Sequence, residues 1–207
     1  MSYIPELVPT LPWLERARDL GFLGPGPIDT HIRHAIAMLE ALAAPLDASV
    51  VDLGSGGGVP GLIMAAMRPD LSLLFIESTK RRAEFLHEAV DGLGLASRTV
   101  VLAERAEVVG RNPQWRATCL RATARGFGPP AVVAECAAPL LVLGGVLIVS
   151  EPPEDQDRWP GSPLAAIGLT SEPVIVDGLS FRRLVKVAES AESVPRRVGV
   201  PAKRPLF

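Results

Sequence analysis

Ten residues between an apolar run and a helical pattern concentrate the chemistry of this chain: Asp52-Leu53-Gly54-Ser55-Gly56-Gly57-Gly58-Val59-Pro60-Gly61. Glycines let the backbone turn with positive φ and let a ligand reach main-chain N–H groups with no Cβ in the way. The spacing Gly56-x-Gly58-x-x-Gly61 formally satisfies a dinucleotide fingerprint, so a nicotinamide ligand is one reading and a ligand-free turn another. Asp52, two residues before Gly54, argues against the first, because a carboxylate is unwelcome beside a pyrophosphate but is a counter-charge for an aminoacyl ammonium. S-adenosylmethionine carries that ammonium and no phosphate. Glu77 stands 23 residues after Gly54 at the end of the next apolar run, where its carboxylate can accept hydrogen bonds from both ribose hydroxyls of an adenosine. Asp52, Gly54, Ser55, Gly56 and Glu77 therefore form the expected cofactor site. No metal site is expected: His31 and His34 lie three apart, with His87 the only other histidine and no cysteine nearby.

These residues need strands and helices to hold them. Ser49–Leu53 reads as a strand, followed by the glycine loop and a helix opened by Pro60. Leu71–Ile76 and Thr99–Leu102 read as further strands around an amphipathic helix from Thr79 to Val90 that Gly92 ends. A weaker strand over Arg116–Thr123, a helix over Ala131–Leu141 and a strand over Val146–Ser150 follow. Pro173–Asp177 and Phe181–Val187 close the pattern as a hairpin around Asp177-Gly178. Before the strands, residues 1–28 are rich in Pro and Gly with one short helix around Trp13–Leu20. A second helix runs from about His31, capped by Asp29 or Thr30, to Pro45. Residues 152–163 read as a loop. The alternation predicts an α/β fold: a mostly parallel, Rossmann-like sheet with a C-terminal antiparallel hairpin and a short N-terminal helical segment. The organisation expected is a helical lead-in over 1–47, the Rossmann-like domain over 48–188 and a basic, Pro-rich tail over 189–207, as one unit and a monomer. A ligand belongs at the carboxyl ends of the strands, near the point where the strand order reverses.

With 48% hydrophobic and 21% charged residues the chain is globular in composition, not disordered or disulfide-framed. Its longest apolar stretch, Pro139–Val149, falls short of a membrane span, and the first residues lack a basic-then-apolar leader, so a cytoplasmic protein without a membrane partner is expected. Cys119 and Cys136 read as reduced core thiols. The net charge of -2 conceals a split. Residues 1–180 hold 14 basic and 21 acidic side chains, whereas residues 181–207 hold seven basic against two acidic. A basic end on an acidic body suits contact with phosphate. Arg196, Arg197, Lys203 and Arg204 are interrupted by Pro195, Pro201 and Pro205, which predicts an extended strip able to follow a nucleic-acid backbone. Lys80, Arg81 and Arg82 open a helix where cations oppose its dipole, so RNA phosphate offers them a partner that helix stability does not.

Together, Asp52 to Gly61, Ile76-Glu77-Ser78-Thr79-Lys80-Arg81-Arg82, Gly92-Leu93-Gly94-Leu95, Arg105-Ala106-Glu107 and Thr123-Ala124-Arg125 resemble the ribosomal small-subunit methyltransferase G family, also called glucose-inhibited division protein B. Leu20 to Pro25 with Arg33-His34, and the ending Pro195 to Leu206, look like its actinobacterial branch. The resemblance implies a class I S-adenosylmethionine-dependent methyltransferase acting on N7 of one guanine in 16S rRNA, with that RNA or the small ribosomal subunit as partner. Carried over, Gly54 and Val59 line the methionine side, Ala106 and Glu107 the adenine, and Arg125 the space between cofactor and base.

Guanine N7 has an in-plane lone pair and attacks a sulfonium methyl without first losing a proton, so no general base is required. Catalysis then rests on alignment and on stabilising charge. Arg125 is the positioning candidate, as a donor to guanine O6 or to phosphate, with Arg33 or His34 from the N-terminal helix. The chain departs from the family in four places: Cys119-Leu120-Arg121-Ala122 on the fourth strand, Gly126 to Pro130 after Arg125, Ser150-Glu151-Pro152-Pro153 in place of a lysine-glycine pair, and an abbreviated N-terminal helical region. They leave two alternatives, a diverged methyltransferase for another RNA or a small molecule, and a non-catalytic ribosome-binding module.

Overall fold

The computed structural model describes residues 4–152 and 158–207. Residues 1–3 of the lead-in and 153–157 of the expected loop lie outside the described residues.

Among the described residues seven strands form one sheet in the order β3-β2-β1-β4-β5-β7-β6. They are β1 (Ser49–Leu53), β2 (Ser72–Ile76), β3 (Thr99–Leu102), β4 (Cys119–Ala124), β5 (Leu141–Ser150), β6 (Leu169–Val176) and β7 (Leu179–Lys186). The first five run parallel, and β7 inserts antiparallel between β5 and β6. Asp177 (φ 50°) and Gly178 (φ 72°) make the β6–β7 turn, as two-residue hairpins with both central residues at positive φ require. The chain winds outward from β1 to β3 and then returns to lay β4 on the other side of β1. That reversal opens a crevice at the carboxyl ends of β1 and β4.

Alternate strand residues feed opposite faces. Val50, Leu73 and Phe75 pack with Met38, Leu42, Leu62, Phe85 and Leu86, from helices α2 (Ile28–Leu42), α3 (Gly61–Met67) and α4 (Lys80–Gly92). Val51, Leu53, Leu74 and Ile76 pack on the other face with residues of α5 (Ala106–Val109), α6 (Pro130–Ala137) and α7 (Gly161–Ala166). A 3-10 turn (Pro5–Thr10) and α1 (Leu11–Asp19) close the N-terminal side. Their Leu7 and Leu14 meet Ile28, Ile32, Val59 and Ile63, so this lead-in buttresses the glycine loop from behind.

Several expected boundaries move, each for a local reason. Helix α2 starts at Ile28 behind Pro27, whose extended ψ of 148° turns its carbonyl towards the amides of Thr30 and His31; Asp29 and Thr30 lie inside the helix. Gly92 is the last residue of α4, and the positive φ (67°) falls at Gly94. Pro139 ends α6 early, and β5 starts at Leu141. Part of the expected loop is helical from Gly161. The basic tail is not the extended strip expected, since Val200–Lys203 form a helical turn, α8, with Pro201 in its first turn where the missing N–H costs nothing. Arg121, out of place on a buried strand by sequence, donates to the carbonyls of Leu42 (3.1 Å) and Ala43 (3.3 Å) and so neutralises the C-terminal end of α2.

Candidate active site

The glycine loop is tied down by the strand beside it. The amides of Gly54 (2.8 Å) and Ser55 (3.2 Å) both donate to the Ile76 carbonyl, and Gly58 N–H donates to Ser55 O. Ser55 is buried, its hydroxyl spent on the Asp52 carbonyl at 3.0 Å. Glu77 staples the loop to the start of α4, accepting Gly56 N–H on Oε2 (3.0 Å) and Thr79 N–H on Oε1 (2.7 Å). Gly54 sits at φ +68°, and a Cβ there would come within 2.8 Å of the Phe127 ring.

Against this loop lies a cavity of about 330 Å³, the size of a small-molecule site. Gly54, Glu77, Ala106 and Glu107 of the expected cofactor residues line it. Arg82, Phe127 and Ala202 line it too, and sequence reasoning did not place them there. Of the expected cofactor residues, its lining does not include Asp52, Ser55, Gly56, Val59 or Arg125. Val59 turns away to pack on Leu14 and Ile63 beneath the loop. Asp52 is buried below the loop, where register pairs it with Thr123 and the Thr123 hydroxyl donates to Oδ1 at 2.8 Å. Its Oδ2 is buried without a hydrogen-bond partner among the described residues. Burial lifts its pKa to about 6, the Thr123 hydroxyl opposing.

Arg125 points to the other side of the crevice. Its Nη2 donates to Nδ1 of buried His31 at 2.6 Å, while Nε2 of His31 lies 3.1 Å from the Gly24 carbonyl. A guanidinium can only donate and a carbonyl only accept, so His31 is the neutral tautomer with its proton on Nε2. His34 lies one turn further along α2. Its Nε2 is 2.9 Å from Ser150 Oγ at the end of β5, its ring meets Phe181 edge-on, and its buried Nδ1 has no partner among the described residues. Burial, with Arg125 next, holds His34 down at about 4. The spacing of His31 and His34 brings both to one helix face, but no group of three metal-binding side chains occurs among the described residues.

The remaining cations divide. Arg33, Lys80, Arg81, Arg197, Lys203 and Arg204 are exposed. Lys80 lies 3.8 Å from Glu84, and Arg81 and Arg82 sit over the Phe22 ring. Arg196 is engaged, donating through its amide, Nε and Nη2 to the buried carboxylate of Glu135 at 2.6–2.8 Å. It anchors the tail to α6. Glu151 is likewise compensated by Arg158 (2.9 Å) and Trp159 Nε1 (3.1 Å).

Asp52 and His34 make opposing predictions about pH. With Asp52 at about 6 in the fold, stability falls as pH rises from the usual carboxylate value to 6. With His34 at about 4, the unfolded chain binds the extra proton below pH 6.5, so stability is lost as pH falls towards 4. Asp52→Asn removes the carboxylate effect and keeps those of His31 and His34, so as pH falls from 7 to 4.5 its unfolding free energy should drop relative to wild type. His34→Gln removes one histidine cost and keeps that of His31, which burial also holds below its ordinary value, so its stability should rise relative to wild type over the same interval. Each change should amount to about 2 kcal/mol, the histidine discounted for its partial exposure. Urea unfolding at both pH values checks this, and parallel profiles for all three proteins would refute the assignment.

The residues at 27–162 match the family model described as rRNA small subunit methyltransferase G. The ribosomal RNA small subunit methyltransferase G of Roseiflexus castenholzii is 38% identical over 76% of this chain and 70% of its own length. That of Rubrobacter xylanophilus is 35% identical over 100% of this chain and 84% of its own. Among solved structures, a SAM-dependent methyltransferase from Aquifex aeolicus matches with a TM-score of 0.60 at 16% identity, covering 84% of this chain and 98% of that one. An RNA methyltransferase from Salinibacter ruber, in complex with S-adenosyl-L-homocysteine, matches with a TM-score of 0.56 at 18% identity, covering 83% and 99%. Sheet order, glycine loop and relatives agree: the chain belongs to the rRNA small subunit methyltransferase G family, S-adenosylmethionine-dependent methyltransferases of ribosomal RNA.

Proposed function

We propose that this chain acts in the cytoplasm on 16S rRNA, free or in the small ribosomal subunit, and methylates N7 of one guanine. The observation supporting this is the division of the crevice. Leu53 pairs with Ala124, so Gly54 and Arg125 leave adjacent strands side by side, one lining the cavity and the other held by α2. The cavity side suits S-adenosylmethionine: a loop with no Cβ at Gly54, two carboxylate oxygens on Glu77 for ribose hydroxyls, and Ala106 and Glu107 where an adenine edge needs partners. When bound, S-adenosylmethionine supplies a methyl group activated on sulfonium. Asp52, beneath the loop, contributes negative potential towards the ammonium end without touching it.

The other side carries donors, and an N7 acceptor needs no base there. Arg125, fixed on His31 through one nitrogen, keeps further N–H groups for guanine O6 or a phosphate. His34 and Ser150 border the same space, and Arg33 with the cations at Lys80, Arg81, Arg197, Lys203 and Arg204 is proposed to hold RNA phosphate. Arg158 compensates the charge of Glu151, so of the two changes at the end of β5 only the missing lysine-glycine pair still speaks for another acceptor.

Tritium transfer from labelled S-adenosylmethionine tests the reading, with naked 16S rRNA and small subunits from a strain lacking guanine-N7 methylation as acceptors. One methyl per RNA, at a guanine whose strand is cut by borohydride and aniline, is expected. Measurable cofactor binding without transfer to either acceptor would overturn the rRNA assignment.

A further inference from the structure

The C-terminal tail, expected as an RNA-binding element, folds back so that Ala202 lines the cavity beside the glycine loop. Arg116 donates to the carbonyls of Ser190, Ala191 and Val194, Arg111 to that of Pro195, and Arg196 closes on Glu135, which is 1% exposed. So clamped, the chain turns back along α6. Gly199, at φ +76°, donates its N–H to Glu107 Oε1 at 3.0 Å, and Ala202 reaches the cavity itself. Glu107 is buried, and its other partner is Arg105 at 3.1 Å, so the tail and the segment after β3 share one carboxylate at the cavity rim. Arg197, Lys203 and Arg204, on either side of this contact, stay exposed.

We propose that residues 199–202 form a wall of the cofactor-binding site, and that the tail thereby couples RNA binding to cofactor binding. This rests on the reading that the cavity takes S-adenosylmethionine. Ala202 is on the surface side of a single helical turn and contributes only a methyl, so the space in front of it depends on its staying small. Gly199 orients Glu107, the carboxylate assigned to the adenine edge. RNA phosphates drawn to Arg197, Lys203 and Arg204 hold this segment in place, which lowers the ordering cost of cofactor binding. By linkage the cofactor must then tighten RNA binding by the same factor.

Calorimetric titration with S-adenosyl-L-homocysteine tests the proposal on the full chain, Ala202→Phe and a chain ended after Val198, which keeps the Arg196–Glu135 clamp. Ala202→Phe should lose affinity at least tenfold with an unchanged urea midpoint, and the shortened chain should lose at least as much. Affinities within twofold of wild type would overturn the wall. Adding a 16S rRNA fragment should tighten S-adenosyl-L-homocysteine binding severalfold in the full chain and leave the shortened one unaffected. Equal affinity with and without RNA in the full chain would overturn the coupling. Failure of the wild type itself to bind would instead fault the cofactor reading on which both rest.

Discussion

Arg125→Ala is expected to lower the turnover number by 100- to 1,000-fold while leaving the affinity for S-adenosyl-L-homocysteine within about threefold of wild type. The split follows from where the guanidinium goes. Arg125 lies beside Gly54 at the strand ends, yet its Nη2 is spent on His31, across the crevice from the cavity that Gly54, Glu77 and Glu107 line. Removing it deletes a positioned donor from the acceptor side and leaves the cofactor contacts as they were. A lysine should not restore activity, because one ammonium on a flexible stem cannot hold the His31 acceptor and present a planar fork to a purine or phosphate together. Steady-state kinetics on rRNA with calorimetry on the same preparations give both numbers. Equal losses in turnover and affinity would move Arg125 to the cofactor side.

The parts of this molecule that sequence made legible are those fixed by neighbours along the chain. β1 at Ser49–Leu53, β3 at Thr99–Leu102 and the turn at Asp177-Gly178 stand where their residues put them, because apolar alternation and turn chemistry act over a few positions. The mostly parallel sheet and its closing antiparallel hairpin followed from alternating strands and helices and from the turn signal, whereas the strand order came only from the structure. What escaped depends on contacts far apart in the chain. Arg121 is explained only by the end of α2, 78 and 79 residues away, and Arg196 only by Glu135, 61 residues away. The tail's helical turn was hidden because Pro201 breaks helix interiors but is welcome in a first turn, and only the Gly199–Glu107 contact fixes where that turn begins. Side-chain direction was the other blind point. Gly54, Glu77, Ala106 and Glu107 meet at one cavity, but Asp52 and Val59, from the same ten-residue run, are drawn under it by Thr123 and by Leu14 and Ile63. His31 carried a readable hint in its spacing to His34, but its hold on Arg125 crosses 94 residues.

Gly54→Val should weaken S-adenosyl-L-homocysteine binding by at least 100-fold, about 2.7 kcal/mol, and destabilise the fold by about 1 to 3 kcal/mol. Two independent causes act at this position. At φ +68° a β-branched residue is strained wherever its side chain goes. In addition the Cβ meets Phe127 Cδ2 at 2.8 Å, and Phe127 itself lines the cavity, so relief of the clash pushes either the ring or the loop into the space the ligand needs. The two causes separate by comparison with Gly94, which has nearly the same φ (+67°) but no atom within 4 Å of its added Cβ among the described residues, and lies outside the cavity lining. Gly94→Val should therefore show the strain alone, a lower unfolding free energy with S-adenosyl-L-homocysteine affinity unchanged. A Gly54→Val protein that folds and binds as tightly as Gly94→Val would mean that the cofactor lies elsewhere. Loss of affinity confined to the Gly54 variant would put the ligand against the turn between β1 and α3, with strain excluded as the cause.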